Sequence, residues 1–207
     1  MLKRALLIGI SDYPFLNRLE YAEADTEAFY KSMQEYYGFE PEEIVLMTSE
    51  SDIVHCPLRQ MIERQFRQLR EYQNEIDLLI IGFWGQAFKA DGMFYLCTAD
   101  TEKENIIKTS ISFDDFVSSI AQIGARNTCF IFDYCQKAQD CCTNTKCSRE
   151  SENGLTINTT SLVQRINASR RNKGITTPFY NFAILDSCGI YEVACEGAKN
   201  CCNHSRS

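Results

Sequence analysis

The chain has no long apolar run, no excess of basic residues and almost no histidine. Its 207 residues carry 21 Lys and Arg against 28 Asp and Glu, a formal net charge of -7. A domain that grips nucleic acid presents a basic face to the phosphates, and this composition supplies none, so nucleic acid is not an expected partner. The apolar runs, such as the one over 76–84, fall far short of the ~20 residues that a membrane-spanning helix needs, so no membrane contact is expected. A secretory leader is not expected either. The apolar run behind Lys3 and Arg4 ends in a polar turn after about six residues, the length of a buried strand. The chain therefore reads as an intracellular, cytoplasmic protein. The two histidines, His55 and His204, leave few groups able to move a proton near neutral pH.

Cysteine is plentiful. There are 11, an odd number in a chain too long for a disulfide-stapled mini-domain, so reduced thiols are expected. Cys97, Cys129 and Cys188 sit in apolar stretches and read as small core residues. Cys141, Cys142 and Cys147, and Cys195, Cys201 and Cys202 with His204, lack paired CxxC spacing. No metal site and no cofactor are expected from them.

Hydrophobic residues make up 44% of the chain, enough for one folded core. Ala5–Ile10 is a continuous apolar strand closed by the turn Ser11-Asp12-Tyr13-Pro14. Helical spacing runs from Leu19 to Tyr37, with Gly38 as the stop, and a short strand follows at Ile44–Met47. Pro57 opens a helix striped by Met61, Ile62, Phe66, Leu69 and Tyr72. Asp77–Trp84 reads as the central strand and Met93–Cys97 as a short strand beside it. A helix runs from Ser112 to Gly124, and further strands lie at Thr128–Asp133 and Phe179–Asp186. Strands alternating with helices predict an α/β fold, a three-layer α/β/α sandwich with a mostly parallel sheet. Working groups in such sheets sit at the carboxyl ends of strands, here Trp84-Gly85-Gln86-Ala87 and Asp133-Tyr134-Cys135-Gln136. The polar, cysteine-rich stretch 137–177 reads as a surface linker with a weak helical segment over 155–166.

Several segments together resemble the caspase, metacaspase and paracaspase clan of cysteine peptidases. They are Lys3–Pro14 with its Leu-Ile-Gly-Ile core, Leu19-Glu20-Tyr21-Ala22-Glu23-Ala24-Asp25, Asp91-Gly92, Cys97-Thr98-Ala99-Asp100 and Phe130-Ile131-Phe132-Asp133-Tyr134-Cys135. The resemblance implies a caspase-hemoglobinase-like fold. Residues 1–136 would be the large-subunit (p20-like) domain, 137–177 the linker, and 178–207 a partial small-subunit (p10-like) segment and tail, with that part truncated. It also places Cys135 at the nucleophile position.

The departures from the clan pattern concern the chemistry. Where the clan reads Ser-Gly-His-Gly, this chain reads Trp84-Gly85-Gln86-Ala87. Gln86 takes the histidine position, about 50 residues before Cys135, as the base should be. A glutamine can hydrogen-bond but cannot take a proton near neutral pH. Losing a member of a catalytic triad costs on the order of a millionfold in turnover, about 8–9 kcal/mol. A thiol with no imidazolium beside it is only about 3% thiolate at pH 7. Gly85 and Ala87 occupy the oxyanion-hole region. His55 reads as lying away from the active edge and His204 as part of the tail. By resemblance Asp133, and more weakly Glu196, would shape a pocket for an Arg or Lys side chain; otherwise Asp133 caps a strand and Glu196 is a solvated helix residue.

The reading that follows is a degenerate peptidase. It would bind a peptide or protein segment in its cleft, an intact homologous peptidase among the partners, and regulate proteolysis or cell-death-type signalling. Two alternatives stay open: an active endopeptidase cutting after Arg or Lys with Cys135 as nucleophile and a non-standard base, and a non-catalytic interaction or redox module.

Overall fold

The computed structural model describes residues 1–90, 93–136 and 181–186, together with Gln164, Asn167, Ala168 and Arg171. A seven-stranded sheet organises them. β1 (Lys3–Gly9) pairs in parallel with β2 (Ile44–Met47) on one side and with β3 (Leu78–Ala90) on the other. β3 pairs in parallel with β6 (Asn127–Gln136), and β6 with β7 (Asn181–Asp186). Two short antiparallel strands complete the sheet. β4 (Met93–Leu96) pairs with the far end of β3, and β5 (Ile111–Ser112) with β4.

Among the described residues, these strands are flanked by the helices α1 (Ala22–Tyr37), α2 (Arg59–Leu69), the short α3 (Ile106–Thr109) and α4 (Phe113–Ala121). Alternation along β3 sends Trp84 and Phe83 to opposite faces. Trp84 packs on Phe29 of α1, with ring centroids 5.5 Å apart. On the other face Phe132, the register partner of Phe83, meets Phe116 of α4 at 6.1 Å, and Phe116 meets Phe66 of α2 edge-on at 5.2 Å. One helix on one face and two on the other give the three-layer α/β/α sandwich expected from the alternation of elements.

Each helix starts or stops where its residues dictate. Gly38 sits at φ +63°, and its N–H and that of Phe39 both turn back to the Met33 carbonyl, closing α1. Ser112 caps α4: its hydroxyl oxygen accepts the Asp115 N–H at 3.0 Å, and Asp114 and Asp115 place negative charge in the first turn. The Asp100 carboxylate, on the segment after β4, accepts the Arg59 N–H at 3.0 Å and so caps α2 from a distance. Among the described residues, no helix is long and apolar enough to cross a membrane.

Three differences from the sequence reading bear on the site. β3 does not end at Trp84; it continues to Ala90, because Ala87–Ala90 gain an antiparallel partner in β4. The pairing Ala90↔Met93 leaves two residues between the strands, and Asp91-Gly92 is a sequence suited to a two-residue hairpin connection. α1 begins at Ala22 rather than Leu19, whose N–H donates to the Ser11 carbonyl and whose side chain is buried. Cys129 is half-buried rather than a full core residue, whereas Cys97 is buried. The readings placed on 137–177 fall almost wholly outside the described residues. Cys188 and the clustered cysteines after Gln136 lie outside them too.

Candidate functional site

The candidate residues lie just beyond the carboxyl end of β1, where β3 and β6 run on side by side. Gln86 and Cys135 are register partners on adjacent parallel strands, the nearest approach a sheet allows between neighbouring chains, about 4.8 Å between strands. The pairing inferred from sequence spacing is thus a direct cross-strand pair. Both residues lie inside strands rather than at loose strand ends.

Gln86 is 7% exposed and held on three sides. Its backbone N–H donates to the Tyr13 hydroxyl at 2.8 Å, its carbonyl accepts the Cys97 N–H at 2.9 Å, and its side-chain Nε2 donates to the Asn17 carbonyl. Tyr13 and Asn17 belong to the loop 11–19 that leaves β1, so this loop folds against β3 and grips Gln86. The amide acts here as a hydrogen-bond donor to backbone, a role that needs no proton transfer.

These bonds also fix the direction of the neighbouring backbone. Both backbone groups of Gln86 point toward the loop and β4. In an extended strand the backbone groups of successive residues alternate in direction, so those of Gly85 and Ala87 point toward β6. The β3–β6 register runs on to Ala87↔Gln136. The Ala87 N–H is therefore directed into a sheet ladder rather than into an open cleft. Gly85 has a packing reason to be glycine: a Cβ there would lie 2.6 Å from the Tyr13 hydroxyl oxygen and 3.0 Å from the Phe83 ring.

Asp133 is half-buried on β6 as the register partner of Trp84. Among the described residues its carboxylate has no hydrogen-bond or ion-pair partner. Glu196 and His204 lie outside the described residues.

His55 requires a correction. It lies in the loop 48–58 that follows the carboxyl end of β2, and β2 is parallel to β1 with Met47 opposite Ile8. It is therefore on the carboxyl edge of the sheet, not away from it. Its Nδ1 lies 2.9 Å from Asp52 Oδ1, and the His55 N–H and ring together hold the Asp52 carboxyl below its ordinary range. Next to it, the half-buried Cys56 thiol is pushed up by burial and by the carboxylates of Asp100 and Glu23, the opposite of what a nucleophilic thiol needs. Burial likewise raises Cys129, and it pushes Cys97 up to about 12. Among the described residues no group of three or more His, Cys, Asp or Glu side chains could hold a metal.

Sequence reasoning missed Tyr13 and Asn17. The turn Ser11–Pro14 was legible, but nothing local signals that its tyrosine reaches a strand 73 residues away.

Comparisons with known proteins bear on the family and the fold. A family model described as the caspase domain of peptidase family C14 matches residues 2–200. The fold is similar to the crystal structure of protein GSU0716 from Geobacter sulfurreducens, with a TM-score of 0.58 at 12% identity, over 96% of this chain and 77% of that one. A search of curated proteins finds no match. The family match spans nearly the whole chain and falls on a mostly parallel sheet with helices on both faces, and so the protein belongs to the caspase-domain family of cysteine peptidases.

Proposed function

We propose that this chain is a catalytically degenerate caspase-domain protein. It binds a peptide or protein segment at the carboxyl edge of its sheet and modulates proteolysis instead of carrying it out; an intact homologous peptidase is the first partner to test. The observation that carries this reading is Gln86, the cross-strand partner of Cys135, with its amide donated to the Asn17 carbonyl. A cysteine peptidase must take a proton from the thiol and return one to the leaving amine, and an amide side chain does neither.

The backbone supports the same reading. Oxyanion stabilisation needs N–H groups left free to face the reacting carbonyl. The Ala87 N–H is turned toward β6, in a ladder paired as far as Gln136. Restoring the base alone therefore leaves this second requirement unmet. In its favour, the Asn17 carbonyl would orient an imidazole N–H placed at residue 86, as a tautomer-fixing acceptor does.

The test is a fluorogenic peptide with Arg or Lys at the anchor position, together with a thiol-directed peptidyl probe of the same sequence. Wild type, Gln86→His and Cys135→Ala should all show turnover at the same background level. Wild-type turnover that disappears in Cys135→Ala would overturn the proposal in favour of a working endopeptidase with another base. Strong turnover by Gln86→His alone would show that only the base is missing and that the backbone donors are available.

A further inference from the structure

One carboxylate oxygen away from Gln86 gathers three segments at the same edge of the sheet. Oε1 of Glu23, in the first turn of α1, accepts the Ser11 N–H at 3.1 Å, the Ser49 N–H at 3.1 Å and the Ser49 hydroxyl. The Glu23 N–H in turn donates to the Ser11 hydroxyl oxygen at 3.1 Å. Ser11 follows β1 and Ser49 follows β2, so the carboxylate clamps the two loops that leave the carboxyl ends of these strands. Two of the donors to Oε1 are backbone N–H groups, which any residue but proline supplies. The Ser49 hydroxyl is the one donor that a modification can remove while the backbone stays as it is.

The surroundings of the clamp are anionic. Across 11–30 and 48–58 the only basic residues are Arg18 and His55, and Asp and Glu outnumber them. Arg18 pairs with Asp12 at 2.8 Å, and the His55 ring meets Asp52 at 2.9 Å. A second anion on Ser49 therefore meets like charge, and both of those cations are already engaged. Ser49 is half-buried, and Glu50, Asp52 and Ile53 after it are exposed. The clamp also reaches the candidate site. Ser11 is the root of the loop 11–19, closed by the Leu19 N–H on the Ser11 carbonyl at 2.9 Å. Tyr13 and Asn17 within that loop hold Gln86.

We propose that Ser49 is a phosphorylation site, and that phosphate on it opens the Glu23 clamp and loosens the loop that holds Gln86. The hydroxyl oxygen attacks the γ-phosphorus of a nucleoside triphosphate bound by a kinase. The new O–P bond forms as the bond to the β-phosphate oxygen breaks, the nucleoside diphosphate leaves, and the hydroxyl proton passes to the base of the kinase. The donor to Glu23 is then gone, and a group carrying about -1.5 to -2 charge stands beside the carboxylate in its place. Ser49-Glu50-Ser51-Asp52 sets acidic residues one and three positions after the hydroxyl, which fits a serine kinase with a basic substrate groove. The switch regulates the edge already read as a binding site and rests on that reading for its consequence. Its test measures phosphate and hydrogen exchange rather than turnover, so the two readings can fail separately.

The purified chain and a peptide of residues 44–56 are incubated with such a kinase and magnesium ATP, and phosphate is located by peptide mass spectrometry. The expected product carries phosphate on Ser49 in both, and Ser49→Ala loses it. A peptide left bare at Ser49 overturns the site, and so does a folded chain left bare while the peptide is modified. The coupling is read separately, on chain with phosphoserine installed at residue 49 during translation, beside wild type and Ser49→Ala. Circular dichroism establishes that each is folded, and Ser49→Asp takes the place of phosphoserine if the modified chain does not fold. Hydrogen exchange of the Gln86 N–H, followed by NMR, should rise about tenfold or more with phosphoserine. The rise should be smaller in Ser49→Ala, which loses the bond without adding charge, and Glu23→Gln should remove most of the difference between the two. Exchange at the wild-type rate in the phosphoserine chain overturns the coupling. Equal rises with phosphoserine and alanine, or a difference that Glu23→Gln leaves intact, overturn the charge mechanism.

Discussion

Gln86 ties three segments of the chain together. With its amide on the Asn17 carbonyl, its N–H on Tyr13 and its carbonyl on Cys97, it joins β3 to the loop after β1 and to the segment after β4. Tyr13→Phe leaves that N–H buried with no acceptor, at a cost of about 1–3 kcal/mol, read as a lower urea midpoint at unchanged slope. Cys97 gives a pH-dependent prediction. Its thiol ordinarily ionises at 9.0, and burial pushes it up to about 12 in the folded chain. Between those values the unfolded chain has released a proton that the folded chain retains, so stability falls as pH rises, by about 1.4 kcal/mol per unit at most. Well below pH 9 the thiol is protonated in both states and contributes no slope. Unfolding free energies of wild type and Cys97→Ala, measured from pH 8 upward, should diverge in that sense. A thiol reagent at pH 8 should label Cys97 only after denaturant is added.

At the scale of elements, α1 and β1 fit by the absence of a side chain. An alanine at Gly9 would bring Cβ to 2.8 Å from Thr26 Cβ and closer still to its hydroxyl. Gly9→Ala should therefore destabilise by about 1–3 kcal/mol through overpacking. Thr26→Ala should relieve part of that cost, giving a favourable coupling in a double-mutant cycle read from chemical denaturation. A purely conformational role for Gly9 would show no such coupling. α4 depends on its cap in the same local way. Ser112→Ala removes the acceptor of the Asp115 N–H and the donor to the Asp115 carboxylate and should cost about 1 kcal/mol, with Ser112→Asn close to neutral.

At the scale of the whole molecule, one aromatic cluster joins the layer of α2 and α4 to the sheet. Phe132 touches Phe113, Phe116 and Phe130 at centroid distances of 5.7, 6.1 and 6.0 Å, and Tyr134 reaches Phe94 of β4 at 5.2 Å. Phe132→Ala should cost about 3–5 kcal/mol, a large part of the 5–15 kcal/mol that holds a domain together. A thermal melt should show Tm lower by about 10 °C or more. Much of this architecture was legible in advance. Apolar runs at Ala5–Ile10 and Thr128–Asp133 could only be buried strands, and Gly38 could end α1 because a left-handed residue without a side chain costs little. The extent of β3 was not legible. Phe88-Lys89-Ala90 carries no strong strand signal, and its pairing comes from β4, a partner folded back onto it. The edge that carries His55 was misjudged because the direction of β2 beside β1 is a property of the sheet.

By itself the sequence determined the element order and the mostly parallel α/β class, and its motifs resemble those of the caspase clan. Periodicity, glycine placement and residue spacing are local quantities, and the element order and class depend on nothing else. Only the tertiary structure decided that Gln86 and Cys135 are direct cross-strand partners, that the Ala87 N–H is turned into a ladder, that Tyr13 and Asn17 grip Gln86, and that Trp84 lies beside Asp133. Each of these depends on register and on strand direction between segments tens of residues apart. Register is set by which side chains the helices bury on each face, and it appears only once the whole sheet has assembled.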